Sequence, residues 1–159
     1  MSFGETGVRD LLTGLFTRDY FDEVIGRELE RSRRQKTSLS VLSVVVANHD
    51  VLRFQAGEDV ARAAVVAVAK ALQANLKESD LVFRWEEDEF MVVLLDTDTA
   101  ACGKKANQLA ALFRGWREGG SPAQAPVKVR IGSATHREDV TFPAVLQSAR
   151  AASRNQTQV

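Results

Sequence analysis

The chain has one cysteine, three prolines and one tyrosine in 159 residues, and no surplus of charge of either sign. A lone Cys102 closes no internal disulfide, and no CxxC or Cys/His cluster suggests zinc, so no metal is expected and a reducing compartment is the simplest home. Long apolar runs are missing too. The longest, around 41–47, is interrupted by Ser43 and far too short to span a bilayer, and Met1–Arg9 carries no apolar signal region. Lys plus Arg is 21 and Asp plus Glu is 21, so no global field draws the chain to nucleic acid or to an acidic membrane. Neither a GxxxxGK[ST] loop nor a GxSxG elbow occurs. These absences lead us to expect a cytoplasmic protein with no membrane or nucleic-acid partner and no cofactor.

What is present is an ordinary globular balance, with 45% hydrophobic and 26% charged residues, enough for one core over about residues 8–155 of a single domain 1–159. The apolar spacing predicts helices over 20–34, 60–76, 101–116 and 142–153. Thr17 and Thr141 are candidate N-caps, and the polar segment 96–99 reads as a cap for the third helix. The Val-rich stretch 39–47 reads as a buried strand, and 127–135 as another whose partner is not readable. The runs 81–85 and 90–95 flank Glu86, Glu87, Asp88 and Glu89 as an antiparallel hairpin. Cys102 lies on the apolar stripe of its helix, and 119–121 is a turn. His49 and His136 stand alone and read as surface or loop residues. The expected fold class is α/β (α+β): a mostly antiparallel central sheet flanked by helices, with a ferredoxin-like, palm-like core.

The run Asp10-Leu11-Leu12-Thr13-Gly14-Leu15 resembles the DxLTGL signature that opens GGDEF domains. Arg84-Trp85-Glu86-Glu87-Asp88-Glu89-Phe90 sits where that family has R-Y-G-G-D/E-E-F, Ser79-Asp80 precedes it, and Ile131-Gly132 matches its S-I-G strand. The resemblance implies the fold of diguanylate cyclases, which join two GTP molecules into cyclic di-GMP and act as dimers. It also implies a loss of their chemistry. The metal-holding Asp-x-Asp corresponds to Val45, Val46 and Ala47, whose side chains have no oxygen for a hard cation. Asp88 and Glu89 remain as vestiges of the catalytic signature. The guanine-reading residues correspond to Arg53 and Arg62, which offer only donors, and a phosphate-binding lysine falls near Thr157. Glu86 and Glu87 replace the two glycines with bulk and negative charge.

The R-x-x-D of the family's inhibitory site corresponds to Lys77 and Asp80, and a further arginine to Gln108. Lysine keeps the charge but loses the planar fork. Two functions follow. The first is a catalytically inactive signalling module that binds another protein through the acidic tip Glu86–Glu89 or the arginine-rich 31–36 end of the first helix, with pairing to itself or to an active relative open. The second is a cyclic di-GMP receptor using Lys77, Asp80 and Arg84. A solvated hairpin tip, a helix-terminal Lys77 and a turn-forming Asp80 are the structural alternatives at the same positions.

Overall fold

The computed structural model describes residues 7–155. A short strand β1 (Phe16–Thr17) leads into α1 (Arg18–Gln35), followed by β2 (Leu39–Val46), α2 (His49–Ala56) and α3 (Glu58–Ala74). The hairpin β3 (Leu81–Glu86) and β4 (Glu89–Leu95) comes next. Then come α4 (Thr99–Arg114) with a 3-10 turn at Gly115–Glu118, β5 (Val129–Thr135) and α5 (Phe142–Arg154). The sheet order is β1-β3-β4-β2-β5, with β1 parallel to β3 and the other neighbours antiparallel. This is the expected α+β, palm-like arrangement, and β2 supplies the missing partner of β5.

β2 is covered on both faces, which is why it reads as an unbroken apolar run rather than an alternating one. Leu42, Val44 and Val46 pack with Phe90, Val92 and Leu94 against α3 and α4, including Val68, Leu72, Leu109 and Phe113. Leu39 and Val41 pack with Phe83, Met91 and Val93 against Phe21 of α1 and Phe142, Val145 and Ala149 of α5. Cys102 is buried in the first of these cores, where burial pushes its thiol pKa up against the contrary pull of the Ser40 and Ser133 hydroxyls.

The capping residues read from the sequence do cap. Thr17 accepts from the Tyr20 amide, Asp98 from Ala101 and Thr141 from Ala144. Two elements went unread. β1 is only two residues long, and α2 is one short helix whose preceding Asn48 forms no side-chain cap. Asn48 instead spans to the approach of β5, donating to Pro126 O at 2.9 Å and accepting from the Lys128 amide at 2.9 Å. His49, expected at the surface, is buried at the first turn of α2. No helix among the described residues is long and apolar enough to cross a membrane.

Gly132 sets how closely α5 lies on β5. A Cβ there would sit 2.1 Å from Ala149 O and 2.4 Å from the Ser153 nitrogen, both backbone atoms that cannot step aside alone. Gly132→Ala is therefore expected to lift α5 from the sheet and cost roughly 1–3 kcal/mol, or more, as overpacked sites do. Urea unfolding checks this; an unchanged midpoint would contradict the close contact.

Candidate functional site

The site implied by the signature lies where β2 ends and β4 begins. β-pairing puts Glu89, Val45 and Arg130 in one row across β4, β2 and β5. Residues paired in register project from the same face, so a carboxylate, an isopropyl group and a guanidinium stand side by side. The acidic run is therefore not one solvated tip. Only Glu87 and Asp88 lie between the strands, and Glu89, proposed as a partner contact, is 0% exposed. The correction follows from strand parity: Glu89 shares its face with Met91 and Val93, which the α1/α5 layer covers.

The Glu89 carboxylate is fully engaged. Arg150 grips it bidentately, Nε to Oε2 and one Nη to Oε1, both at 2.9 Å. Arg154 donates to Oε1 at 2.9 Å, and the Ser43 hydroxyl donates to Oε2 at 2.9 Å. Ser153 lies 2.9 Å from the Ser43 hydroxyl. Arg150 and Arg154 are four residues apart, so one face of α5 presents both guanidiniums. The hydrogen bond that Arg150 donates to Glu89 holds its guanidinium more firmly protonated against the contrary effect of burial, and Glu89, Glu86 and Asp88 add attraction.

Glu86 and Glu87 are paired as well. Glu86 meets Arg18 at 2.7 Å and Arg150 at 3.7 Å, and Arg18 lies over the Trp85 ring. Glu87 meets Arg53 at 3.2 Å, and Arg53 also meets Asp50 at 3.1 Å. Arg62 lies between Glu58 and Asp59 at 3.7 Å from each. The two arginines at the guanine-reading positions thus serve local carboxylates.

Arg84, read as a ligand-binding residue, is committed elsewhere. It donates to Asp10 at 3.1 Å and to the carbonyls of Glu86 and Glu87 at 3.3 and 2.8 Å. Asp10 in turn accepts from the Thr13 amide and hydroxyl at 2.9 and 2.7 Å, so the DxLTGL segment is a turn pinned to the hairpin. Burial pushes the Asp10 carboxyl up, but the Thr13 bonds and the Arg84 guanidinium together hold it below its ordinary 3.8.

Lys77 and Asp80 come together, but on the backbone. Asp80 accepts from the Lys77 and Leu95 amides at 3.1 and 3.2 Å, and the Lys77 ammonium donates to Leu95 O at 3.0 Å. Their side chains tie the approach to β3 onto the end of β4. Gln108 accepts from Lys105 at 2.9 Å, and Thr157 lies outside the described residues.

The residues present do not fit a divalent cation. Val45 and Ala47 have no side-chain ligand, both Glu89 oxygens face guanidiniums, and Arg130 adds a further positive group beside Val45. Among the described residues no three His, Cys, Asp or Glu side chains converge as a ligand set. The sequence reading missed Arg150 and Arg154. Their i, i+4 spacing next to the buried stripe Phe142, Val145, Ala149 and Ser153 was the available signal.

A palm-like sheet whose acidic hairpin abuts the end of its central strand defines the class of domain. A family model described as "Diguanylate cyclase, GGDEF domain" matches residues 8–158, and the chain belongs to that family. It is 29% identical over 89 residues to the probable diguanylate cyclase DgcC of Escherichia coli K12, covering 56% of this chain and 24% of that protein. It is 26% identical over 138 residues to the diguanylate cyclase TpbB of Pseudomonas aeruginosa, covering 86% of this chain and 32% of that protein. The chain thus spans a third or less of the length of these curated relatives. Among solved structures, the diguanylate cyclase SiaD in complex with its activator SiaC, from Pseudomonas aeruginosa, superposes with a TM-score of 0.82 at 27% identity. That match covers 96% of this chain and 59% of SiaD. The GGDEF domain of DgcB from Caulobacter crescentus, in complex with c-di-GMP, superposes with a TM-score of 0.82 over 93% of this chain and 88% of that one. At 15% identity it shows the fold alone.

Two measurements test the site. Glu89→Ala leaves two guanidiniums and a hydroxyl without their acceptor, and is expected to cost about 3–5 kcal/mol in urea unfolding. A loss under about 1 kcal/mol would show the cluster is dispensable. Asp10 has a depressed folded-state pKa. Its stabilisation is present above the unfolded value of about 3.9 and is lost as pH falls through the lower folded value. Asp10→Asn should therefore weaken the fold at neutral pH and flatten its stability profile below about pH 4; an acid limb as steep as wild type counts against the Asp10–Arg84 tie.

Proposed function

We propose that this GGDEF signalling domain is catalytically inactive, resides in the cytoplasm and works by binding another protein. One observation carries the loss of catalysis. The buried carboxylate of the signature is saturated by Arg150, Arg154 and Ser43, beside aliphatic Val45 where the family's metal ligand is implied. Phosphoryl transfer by this class relies on cations to neutralise the triphosphate, and here an intramolecular ion-pair cluster occupies that role. The glutamates in place of the signature glycines add charge where a nucleotide would lie, and their arginine partners hold them there.

The protein-binding half rests on α2, next to the hairpin. Phe54 is 89% exposed and Val51 is 51% exposed, one helical turn apart. An aromatic this exposed is an unspent apolar anchor of the kind that centres protein interfaces. Around it Asp50, Glu58, Asp59 and Glu87 outnumber Arg53 and Arg62, so the rim is acidic and suits a basic surface. Glu87 contributes to this face from the hairpin through Arg53, whereas Glu86 turns to Arg18 and Arg150 and Glu89 is buried. The structural neighbour SiaD, bound to its activator, supports a protein partner as a mode open to this fold. Cyclic di-GMP is the other ligand seen with a neighbour, but Lys77, Asp80 and Arg84 are here tied to backbone and to Asp10.

Incubation with GTP and magnesium or manganese, followed by chromatography, is expected to yield no cyclic di-GMP, and calorimetry with the dinucleotide no heat. Product formation that disappears in Glu89→Ala would overturn the inactive reading. For the binding face, a partner retained by the wild-type domain should be lost by roughly tenfold or more with Phe54→Ser, a change of about 1.4 kcal/mol. Equal retention would remove α2 from the interface.

A further inference from the structure

A groove of about 960 Å³ opens at the far end of the sheet from Glu89. The separation is about the length of the eight-residue β2, roughly 23 Å, so it shares no residue with the hairpin. Its apolar walls are Leu29 of α1 and Leu39 at the start of β2. Gly26 lines the α1 side, where a side chain would narrow the opening. His136, just past β5, adds an imidazole whose ring is held edge-on against Phe142 at 5.8 Å.

The charged groups of the groove are unevenly satisfied. Arg33 is bound to Glu30 at 2.5 Å and the two cancel. Lys36 and Arg137 have neither an ion pair nor a side-chain hydrogen bond among the described residues, and Glu138 is the one carboxylate left to oppose them. Both cations rise from backbone that is locked. Lys36 is the left-handed cap of α1 (φ 56°), its amide bonded to Arg33 and Ser32 carbonyls. The Ser32 hydroxyl fastens the next residue by donating to Thr37 O at 2.6 Å. Arg137 opens a turn closed by Val140 N to Arg137 O at 3.0 Å, and the preceding His136 amide is fixed to Leu39 O at 2.8 Å. Two unpaired cations on rigid stems, facing one hollow with apolar walls, form a preorganised receptor for an anion that carries a less polar body.

We propose that this groove binds a small organic phosphate of up to mononucleotide size, with Lys36 and Arg137 on the phosphate and Leu29, Leu39 and His136 against the remainder. The volume suits that class, since small-ligand sites run to about 300–1,000 Å³. The assignment is independent of the reading of the hairpin and stands or falls separately from it. The test is a titration of the whole chain with AMP as probe, at constant ionic strength, followed by two-dimensional NMR. Adenosine serves as the uncharged counterpart.

AMP is expected to shift the signals of Thr37, Ser38, Leu39 and His136 saturably, and adenosine to leave them in place. The double variant Lys36→Glu/Arg137→Glu changes only exposed side chains, so its spectrum elsewhere should match the wild type, with AMP bound about tenfold or more weakly. The proposal fails if AMP produces no saturable shift at millimolar concentration or if adenosine binds as well. It also fails if the double variant keeps its affinity, or if the shifts centre on Glu86–Glu89.

Discussion

A carboxylate with no exposed surface sits at the first residue of β4, and three side chains from β2 and α5 satisfy it. Removing a charge from water costs several kcal/mol unless its partners are in place, so Glu89 can exist there only with Arg150, Arg154 and Ser43 around it. That requirement fixes three things together. The end of α5 must lie over the hairpin, β4 must hold its register against β2, and the space around the Glu89 carboxylate must be filled by guanidinium groups. Gly132 permits the approach by letting the α5 backbone come down onto β5.

The same neutralisation runs through the hairpin. Four consecutive acidic residues would repel one another by roughly 1–4 kcal/mol per close pair. Arg18, Arg53, Arg150 and Arg154 reach Glu86, Glu87 and Glu89 from α1, α2 and α5, so opposite charges alternate across the region. Most of these pairs are exposed and individually weak. The Glu89 cluster differs because burial makes its loss expensive. Three of the four hairpin carboxylates are thereby balanced from within the fold, by arginines of three different helices.

The layered fold was legible because local and global signals agree in it. Thr17 and Thr141 stand before helical stripes that they cap, and β2 is apolar throughout because both its faces are covered. β1 was too short to show a period. α2 offered only eight residues, and Asn48 spends its side chain on Pro126 and Lys128 instead of capping. At the site, the missing oxygens at Val45 and Ala47 could be read directly. The fate of the charged groups could not, because Asp10 with Arg84, and Glu89 with Arg150, are separated by 74 and 61 positions.

The sequence by itself determined the order of elements, the family signature and the absence of side-chain metal ligands at the end of β2, since each is a matter of local pattern or residue identity. Only the tertiary structure decided that Glu89 faces inward, that Arg84 reaches Asp10, that Lys77 and Asp80 bond to backbone, and that two cations with no ion pair among the described residues line a distal groove. The reason is that a charged group's role depends on what surrounds it, and its neighbours here come from strands and helices far apart in the chain.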